Sequence, residues 1–150
     1  CDIINDLSKC VCKMPVKNVK YKEYKAGRSA TPNELIIQLN KSKELLDAMG
    51  IKHIELENYE ADDIIGSMAK CCKDVQTTIL TSDRDLLQLI DSSTHVLLMK
   101  KGLSEMDLMD EQNLMDTYGI TPSQVIDMKG LMGDTADNIP GVAGVGEKKS

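Results

Sequence analysis

The stretch that organises this sequence is Tyr59-Glu60-Ala61-Asp62-Asp63-Ile64-Ile65. It places three carboxylates within four residues, directly before an apolar run. This pattern predicts the first turn of a helix that continues to about Lys73. The helix dipole alone explains one or two acids there, because it stabilises each by about 0.3–1 kcal/mol. Three acids repel one another, so the stretch indicates a site that holds cations.

Strand and helix patterns alternate on both sides of this acidic helix. Thr31-Pro32-Asn33-Glu34 predicts a capped helix start, and Gly50 predicts the end of that helix. Further elements are predicted as strands over Ile51–Leu56, Val75–Leu80 and Thr94–Met99 and helices over Asp85–Ile90, Asp110–Tyr118 and Thr121–Met132. The alternation predicts an α/β fold, with a mostly parallel sheet covered by helices on both faces, over residues 1–106. A helical region over residues 107–150 follows.

Composition and charge narrow the classes of function. The 150 residues carry a net charge of -6, and half of the 18 basic residues lie between Lys9 and Lys43, whereas the acids concentrate after Glu55. A basic first third beside an acidic remainder suits a protein that attracts phosphate with one part and holds metal with another. No apolar run approaches the ~20 residues of a membrane span. The 5 cysteines have neither disulfide-framework nor zinc-site spacing, which indicates a reducing compartment.

A second acidic group follows the predicted strand Val75–Leu80, in Thr81-Ser82-Asp83-Arg84-Asp85. Ligands of parallel α/β folds bind beyond the carboxyl ends of the strands. Asp83 as a helix cap and Asp85 as a first-turn acid are the purely structural alternative. Because the acidic helix also follows a predicted strand, we expect both acidic groups at the same edge of one sheet.

A third acidic group consists of Asp134 and Asp137, followed by Asn138. Loop acids that close Asx-turns are the structural alternative. Six or seven carboxylates without nearby His or Cys suit hard divalent cations such as Mg²⁺ or Mn²⁺. Two such ions ~4 Å apart can activate a water and stabilise the leaving oxygen of a phosphodiester. The residues therefore predict metal-dependent phosphoryl transfer to water.

The glycine run Gly141-Val142-Ala143-Gly144-Val145-Gly146 is not a dinucleotide fingerprint, because no strand precedes it. It predicts a tight hairpin between two helices, whose backbone N–H groups can hold a DNA phosphate without reading sequence. A plain helix–helix turn is the alternative.

Together these motifs resemble the flap endonuclease (5′-nuclease) family, and most closely the 5′→3′ exonuclease domain of bacterial-type DNA polymerase I. The matching stretches include Tyr24-Lys25-Ala26-Gly27-Arg28, Tyr59–Asp63, Thr81–Leu89, Tyr118–Pro122, Leu131–Asp134 and Asp137–Lys148. The resemblance covers about Lys20 to Lys148. It implies a PIN-like core followed by a helix–hairpin–helix-type (H3TH) DNA-binding region.

The resemblance also implies roles for particular residues. The carboxylates around two divalent cations would be Glu60, Asp62, Asp63, Asp83, Asp85, Asp134 and Asp137. Lys25 and Arg28 would act on the scissile phosphate at the entrance of a helical arch. The DNA-binding hairpin would contain Gly141, Gly144, Gly146 and Lys148, with K⁺ bound there in relatives.

The implied reaction is 5′→3′ exonuclease and 5′-flap endonuclease cleavage of DNA in replication and repair. The implied partners are flap, nicked or junction DNA and a polymerase domain or partner polymerase, with the chain itself a monomer and not membrane-bound. The implied location is the bacterial cytoplasm (nucleoid), or a eukaryotic organellar or nuclear DNA compartment, and not a secreted one.

One departure from the family pattern leaves other functions open. The family carries an Asp on a first strand upstream and a second Asp at the position fourteen residues before Tyr24, which here is Cys10. Either a gap brings Asp6 to that position or the ligand is missing. A DNA-junction binding module with decayed catalysis is therefore one alternative. A PIN-type ribonuclease is another, and the glycine-rich hairpin after Asp137 counts against it.

Overall fold

The computed structural model describes Tyr24, residues 29–102 and residues 104–146. Its helices are α1 (Asn33–Ala48), α2 (Ala61–Cys71), α3 (Glu111–Tyr118) and α4 (Gln124–Met132), with a 3₁₀ helix over Arg84–Leu89. Its strands are β1 (Thr77–Thr81), β2 (Thr94–Lys101), β3 (Glu105–Met109), β4 (Gly133–Asp134) and β5 (Ile139–Pro140). Within these ranges, no helix combines the length and apolar character needed to cross a membrane.

The main sheet has the strand order β1-β2-β3. β1 pairs with β2 in parallel, with Ile79 opposite Val96, and β3 pairs with β2 antiparallel. Along β2, Thr94, Val96 and Leu98 are buried and the residues between them are half-buried. Successive side chains of a strand point to opposite faces, so β2 places its most buried side chains on one face. Because β3 runs antiparallel to β2, the described sheet is mixed rather than wholly parallel.

The hydrophobic core joins the main sheet to α2, α3, α4 and the 3₁₀ helix. Its buried members are Ala69, Ile79, Leu86, Leu87, Ile90, Val96, Leu98, Met109, Leu114 and Val125. Leu86 and Leu87 belong to the 3₁₀ helix, and burying a leucine side chain contributes about 1.5–3 kcal/mol. Their burial fixes the segment that directly follows β1, which carries the second acidic group.

The predicted elements of the middle of the chain are confirmed, with shifts of a few residues at their ends. Asp110 caps α3, and Gly119 ends it in the left-handed conformation, at φ 70°. The helix before Gly50 is also confirmed, as α1, although none of its residues is buried. The predicted side-chain cap by Thr31 is wrong. The N-cap residue of α1 is Pro32, and no side-chain hydrogen bond caps this helix.

The predicted strand Ile51–Leu56 is wrong, because these residues form no regular secondary structure. No described strand lies beside them, and an unpaired strand leaves its backbone N–H and C=O groups without partners. Two features were not predicted: the antiparallel strand β3 and the short β4–β5 ladder. At the end of α2, Cys72 is a free thiol and Cys71 forms a disulfide, which the cysteine spacing does not predict.

Candidate metal centre

A cavity of about 730 Å³ opens between the start of α2, the segment after β1 and the loop after α4. Six of the seven carboxylates that the sequence singles out line it: Glu60, Asp62, Asp83, Asp85, Asp134 and Asp137. They come from three segments that are well separated in the chain. The strand predicted before α2 is absent, yet the start of this helix still reaches the same cavity as the end of β1.

The start of α2 sorts its acids into two kinds. Glu60 is the N-cap, and its backbone N–H donates to Asp63 Oδ2 at 3.1 Å, which completes a capping box. Asp63 thus satisfies a backbone group of the helix start and does not line the cavity. Asp62 lines the cavity, and its Oδ1 accepts from the backbone N–H of Asp63 at 3.0 Å. Only some acids of this cluster therefore face the site.

The segment after β1 is held by its own side chains. The Asp83 backbone N–H donates to Thr81 Oγ1 at 3.0 Å, and Asp83 Oδ1 accepts from the Asp85 backbone N–H at 2.9 Å. Asp83 is thus the N-cap of the 3₁₀ helix, as the structural alternative predicts, and it also lines the cavity. Capping leaves its second carboxylate oxygen for other partners.

The third acidic group is held by a close approach of two backbone segments. Gly133 has φ 74° and ψ -174°, a combination that is essentially restricted to glycine. A Cβ atom at Gly133 would lie 2.3 Å from the Gly141 backbone nitrogen, and one at Gly141 would lie 2.1 Å from the Met132 carbonyl oxygen. The two glycines therefore permit the β4–β5 ladder, which carries Asp134.

The loop after β4 is closed around the Asp134 carboxylate. Asp134 Oδ1 accepts from the backbone N–H groups of Ala136 and Asp137, at 2.9 and 3.3 Å. This is the Asx-turn expected of loop acids, and it leaves Oδ2 directed elsewhere. The Tyr24 hydroxyl donates to Asp137 Oδ2 at 3.4 Å, so the tyrosine of the Tyr24-Lys25 motif also lines the cavity.

Lys129 also lines the cavity, although the sequence patterns do not single it out. It lies in the last turn of α4, and its Nζ is 2.8 Å from Asp85 Oδ1 and 3.0 Å from Asp134 Oδ2. Burial lowers the pKa of Lys129, but the two carboxylates raise it by more, so the pKa lies above its ordinary value. Lys129 in turn holds the pKa of Asp134 below its usual value. In the sequence, nothing distinguishes Lys129 from an ordinary basic residue in the last turn of a helix.

The donor set of the cavity fits hard divalent cations. All six acids offer oxygen, and Mg²⁺ and Mn²⁺ prefer carboxylate oxygen. Asp85 Oδ1 is buried, and the Lys129 ammonium, 2.8 Å away, forms an ion pair with it. A buried carboxylate oxygen left in this state is a ready ligand for a cation.

The described acids line the cavity without forming a tight cluster around one position. In the part of the chain that the structure describes, no three His, Cys, Asp or Glu side chains form a group that could hold a metal ion. Instead the Lys129 ammonium contacts two of the acids from different segments. Lys129 is therefore a positive charge that the protein itself places beside these acids.

The remaining site predictions fall on the hairpin and on the basic residues. Lys25, Arg28 and Lys148 lie outside the described residues, as do Asp6 and Cys10. Gly144 lies in a turn at φ 80°, closed by a hydrogen bond from the Val145 backbone N–H to the Val142 carbonyl oxygen at 3.0 Å. A Cβ atom at Gly144 or Gly146 would contact none of the described residues within 4 Å, which leaves space for a ligand on that side of the backbone.

Comparison with known proteins gives two family matches. Residues 6–119 match the 5′-3′ exonuclease, N-terminal resolvase-like domain, and residues 120–150 match the 5′-3′ exonuclease, C-terminal SAM fold. The fold also resembles a solved structure of the bacteriophage T5 5′-exonuclease, with a TM-score of 0.69 at 20% identity over 99% of this chain and 62% of that one. This likeness supports the PIN-like α/β fold with an H3TH-type helical region.

Curated relatives are much more similar in sequence. DNA polymerase I of Bacillus subtilis (strain 168) is 51% identical over 130 residues, which are 85% of this chain and 15% of the polymerase. The 5′-3′ exonuclease of Mycoplasma pneumoniae is 47% identical over 132 residues, 86% of this chain and 45% of the exonuclease. The chain thus spans less than half the length of these relatives. The two domain matches, which together run from residue 6 to residue 150, establish that the chain belongs to the 5′-3′ exonuclease family.

Proposed function

We propose that this chain supplies the nuclease centre of a metal-dependent 5′→3′ exonuclease and 5′-flap endonuclease that hydrolyses DNA phosphodiesters. The observation that carries the proposal is the meeting of three separated acidic groups at one cavity. A fold does not gather like charges without a use for cations, because two such charges ~4 Å apart repel by about 4 kcal/mol at an effective dielectric near 20.

The proposed ligands of two divalent cations, Mg²⁺ or Mn²⁺, are the six acids that line the cavity. Such ions supply an activated water and stabilise the leaving oxygen of the phosphodiester. Asp63 stays in its capping role in this proposal, because it does not line the cavity and its Oδ2 accepts from the Glu60 backbone N–H. A structural relative, the T5 5′-exonuclease, has been crystallised with zinc, and a D155K variant of the T5 flap endonuclease with DNA and metal ions.

The chain's own residues orient these groups. The caps at Asp63 and Asp83 fix the starts of α2 and of the 3₁₀ helix, so that Asp62 and Asp85 keep their positions at the cavity. The Asx-turn at Asp134 fixes Oδ1 and leaves Oδ2 for the site. Preorganised ligands of this kind pay little reorganisation cost at the moment of reaction.

DNA contacts are proposed for two further groups of residues. Lys25 and Arg28 would hold the scissile phosphate, and Gly141, Gly144, Gly146 and Lys148 would hold a phosphate of the duplex, with K⁺ at the hairpin. The open backbone around Gly144 and Gly146 supports this assignment. The polymerase I relatives support a polymerase domain or partner polymerase acting beside this nuclease.

The test is cleavage of a 5′-flap DNA duplex by the full chain with Mg²⁺, beside the same reaction with EDTA and with a single-stranded RNA. We expect Mg²⁺-dependent cleavage near the flap junction, no RNA cleavage and no turnover by Asp134→Asn, which should still bind the flap. Flap binding without cleavage by the unaltered chain would instead select a junction-binding module. Cleavage confined to RNA would select a ribonuclease.

A further inference from the structure

The position of Lys129 differs from that of Lys101, a paired lysine at the protein surface. Its side chain is 32% exposed and reaches into the cavity, whereas the Lys101 side chain is 81% exposed and pairs with Glu105 at 3.7 Å. Exposed pairs of the second kind contribute about 0–1 kcal/mol. Lys129 instead lies within 3.0 Å of two carboxylates that belong to two of the three acidic groups.

The consequence follows from charge. Without Lys129, Asp85 and Asp134 would face the same partly buried space as two negative charges, and Coulomb repulsion between them would be weakly screened. The ammonium therefore does for these two acids what a divalent cation would do. A lysine ammonium is a compact charge on a flexible four-carbon stem, so it can leave this position when another cation takes it.

We propose that Lys129 is a built-in counter-ion, which neutralises Asp85 and Asp134 in the metal-free protein and with which divalent cations compete for these two carboxylates. Lys129 is thus a positioning residue: it keeps α4 and the Asp134 loop beside the end of β1 until metal binds. The inference rests on the proposed function, since it assumes that this cavity is where metal binds.

The competition explains two features of the cavity together. The ammonium pairs with Asp85 Oδ1 at 2.8 Å, so a buried carboxylate oxygen that would bind metal is held by a charge that metal can displace. The Lys129 ammonium also contacts Asp134 Oδ2 at 3.0 Å, so it joins acids from two separate segments at the cavity. An ammonium group binds carboxylates less strongly than Mg²⁺ does, but it is always present. It would therefore hold Asp85 and Asp134 at the cavity and still give way to the metal ion.

The experiment compares the full chain with Lys129→Met, Lys129→Arg and the matched surface control Lys101→Met. Two quantities are measured: the dissociation constant for Mn²⁺, from the electron paramagnetic resonance signal of free Mn²⁺, and the melting temperature in EDTA. We expect Lys129→Met to bind Mn²⁺ on the order of tenfold more tightly, because a competing charge is gone. We expect it to melt about 2–6 °C lower in EDTA, because two carboxylates then repel without a counter-ion.

Lys129→Arg, which keeps the charge, and Lys101→Met should both stay close to the unaltered chain in Mn²⁺ affinity. Equal or weaker Mn²⁺ binding by Lys129→Met, or a melting temperature in EDTA that does not fall, would overturn the inference. Failure of the proposed function has a different signature, in which Asp62→Asn and Asp134→Asn leave the Mn²⁺ affinity of the unaltered chain unchanged.

Discussion

The starts of α2 and α3 carry the same kind of residue and serve different purposes. At α3, Asp110 Oδ1 accepts from the Asn113 backbone N–H at 2.7 Å, and Glu111 follows in the first turn. At α2, Glu60 is the N-cap, and its backbone N–H donates to Asp63 Oδ2 in a capping box. The difference is that Glu60 and Asp62 also line a cavity shared with Asp83 and Asp134, whereas Asp110 lines no part of it. Capping and the helix dipole explain acids at a helix start. A functional site is indicated only where acids from distant segments of the chain lie beside them.

Removing one charge from each helix start tests most strongly whether the starts of α2 and α3 differ in function. Asp62→Asn should lower flap cleavage at least about a hundredfold, since changes even to residues behind metal ligands cost 10–100-fold. Asp110→Asn is the matched control, because asparagine is also a good N-cap and the residue lies outside the cavity. The rates are measured with a 5′-flap substrate at saturating Mg²⁺. Equal losses in the two variants would show that the helix starts do not differ in function.

A second prediction concerns the glycine that carries Asp134 into the cavity. Gly133→Ala should destabilise the protein by at least about 3 kcal/mol, because alanine is strained at φ 74° and ψ -174° and its Cβ would clash with the backbone of Gly141. Gly130→Ala, one turn earlier in α4 with open space around its Cβ, should instead stabilise by roughly 0.5–1 kcal/mol. Urea unfolding measures both, and a similar small effect in the two variants would contradict the assigned backbone.

The smallest effect on stability is expected for Asp91, an acid that lies neither at a helix start nor at the cavity. The Lys73 ammonium, by hydrogen bond and charge, holds the pKa of Asp91 far below its ordinary value. Because the folded-state pKa is lowered, the pair stabilises the protein above the unfolded pKa of about 3.9, and the stabilisation is lost as the pH falls toward the folded-state pKa. Asp91→Asn should therefore cost at most about 1 kcal/mol at pH 7.

The pH dependence distinguishes that charge effect from a loss of the turn. Asparagine keeps an oxygen for the Ser93 backbone N–H and hydroxyl, which both donate to Asp91 Oδ1 at 2.9 Å. The difference in unfolding free energy between the variant and the unaltered chain should thus shrink once the pH falls below about 4. A difference that persists unchanged at acidic pH would mean that the turn, rather than the charge, is responsible.

Local signals in the sequence predict much of this fold. The acidic helix start, the β-branched run before Thr81 and the glycine after Tyr118 each depend on residues within a few positions, and each predicted element is present. The strand β3 was missed because its pairing depends on β2, and Ile51–Leu56 was wrongly predicted because alternation alone does not supply a partner strand. Pairing is a property of two segments, and a single segment does not encode it.

The candidate site likewise has features that local sequence predicts and features that depend on contacts between distant segments. Residue type and motif spacing single out the acids, and the structure brings six of them to one cavity. The capping role of Asp63 and the central position of Lys129 depend on distances between α2, α4 and the end of β1, which no local pattern contains. Lys129 in particular looks like an ordinary basic residue in the last turn of a helix, where cations are favoured by the dipole.

The central claim is that three acidic groups, far apart in the chain, form one metal centre. Anomalous diffraction at the manganese edge, from crystals of the full chain soaked with Mn²⁺, tests it most directly. The account predicts anomalous density inside the cavity, within bonding distance of carboxylates from all three groups: Glu60 or Asp62, Asp83 or Asp85, and Asp134 or Asp137. Manganese that binds only outside the cavity, or to one of these groups alone, would contradict it.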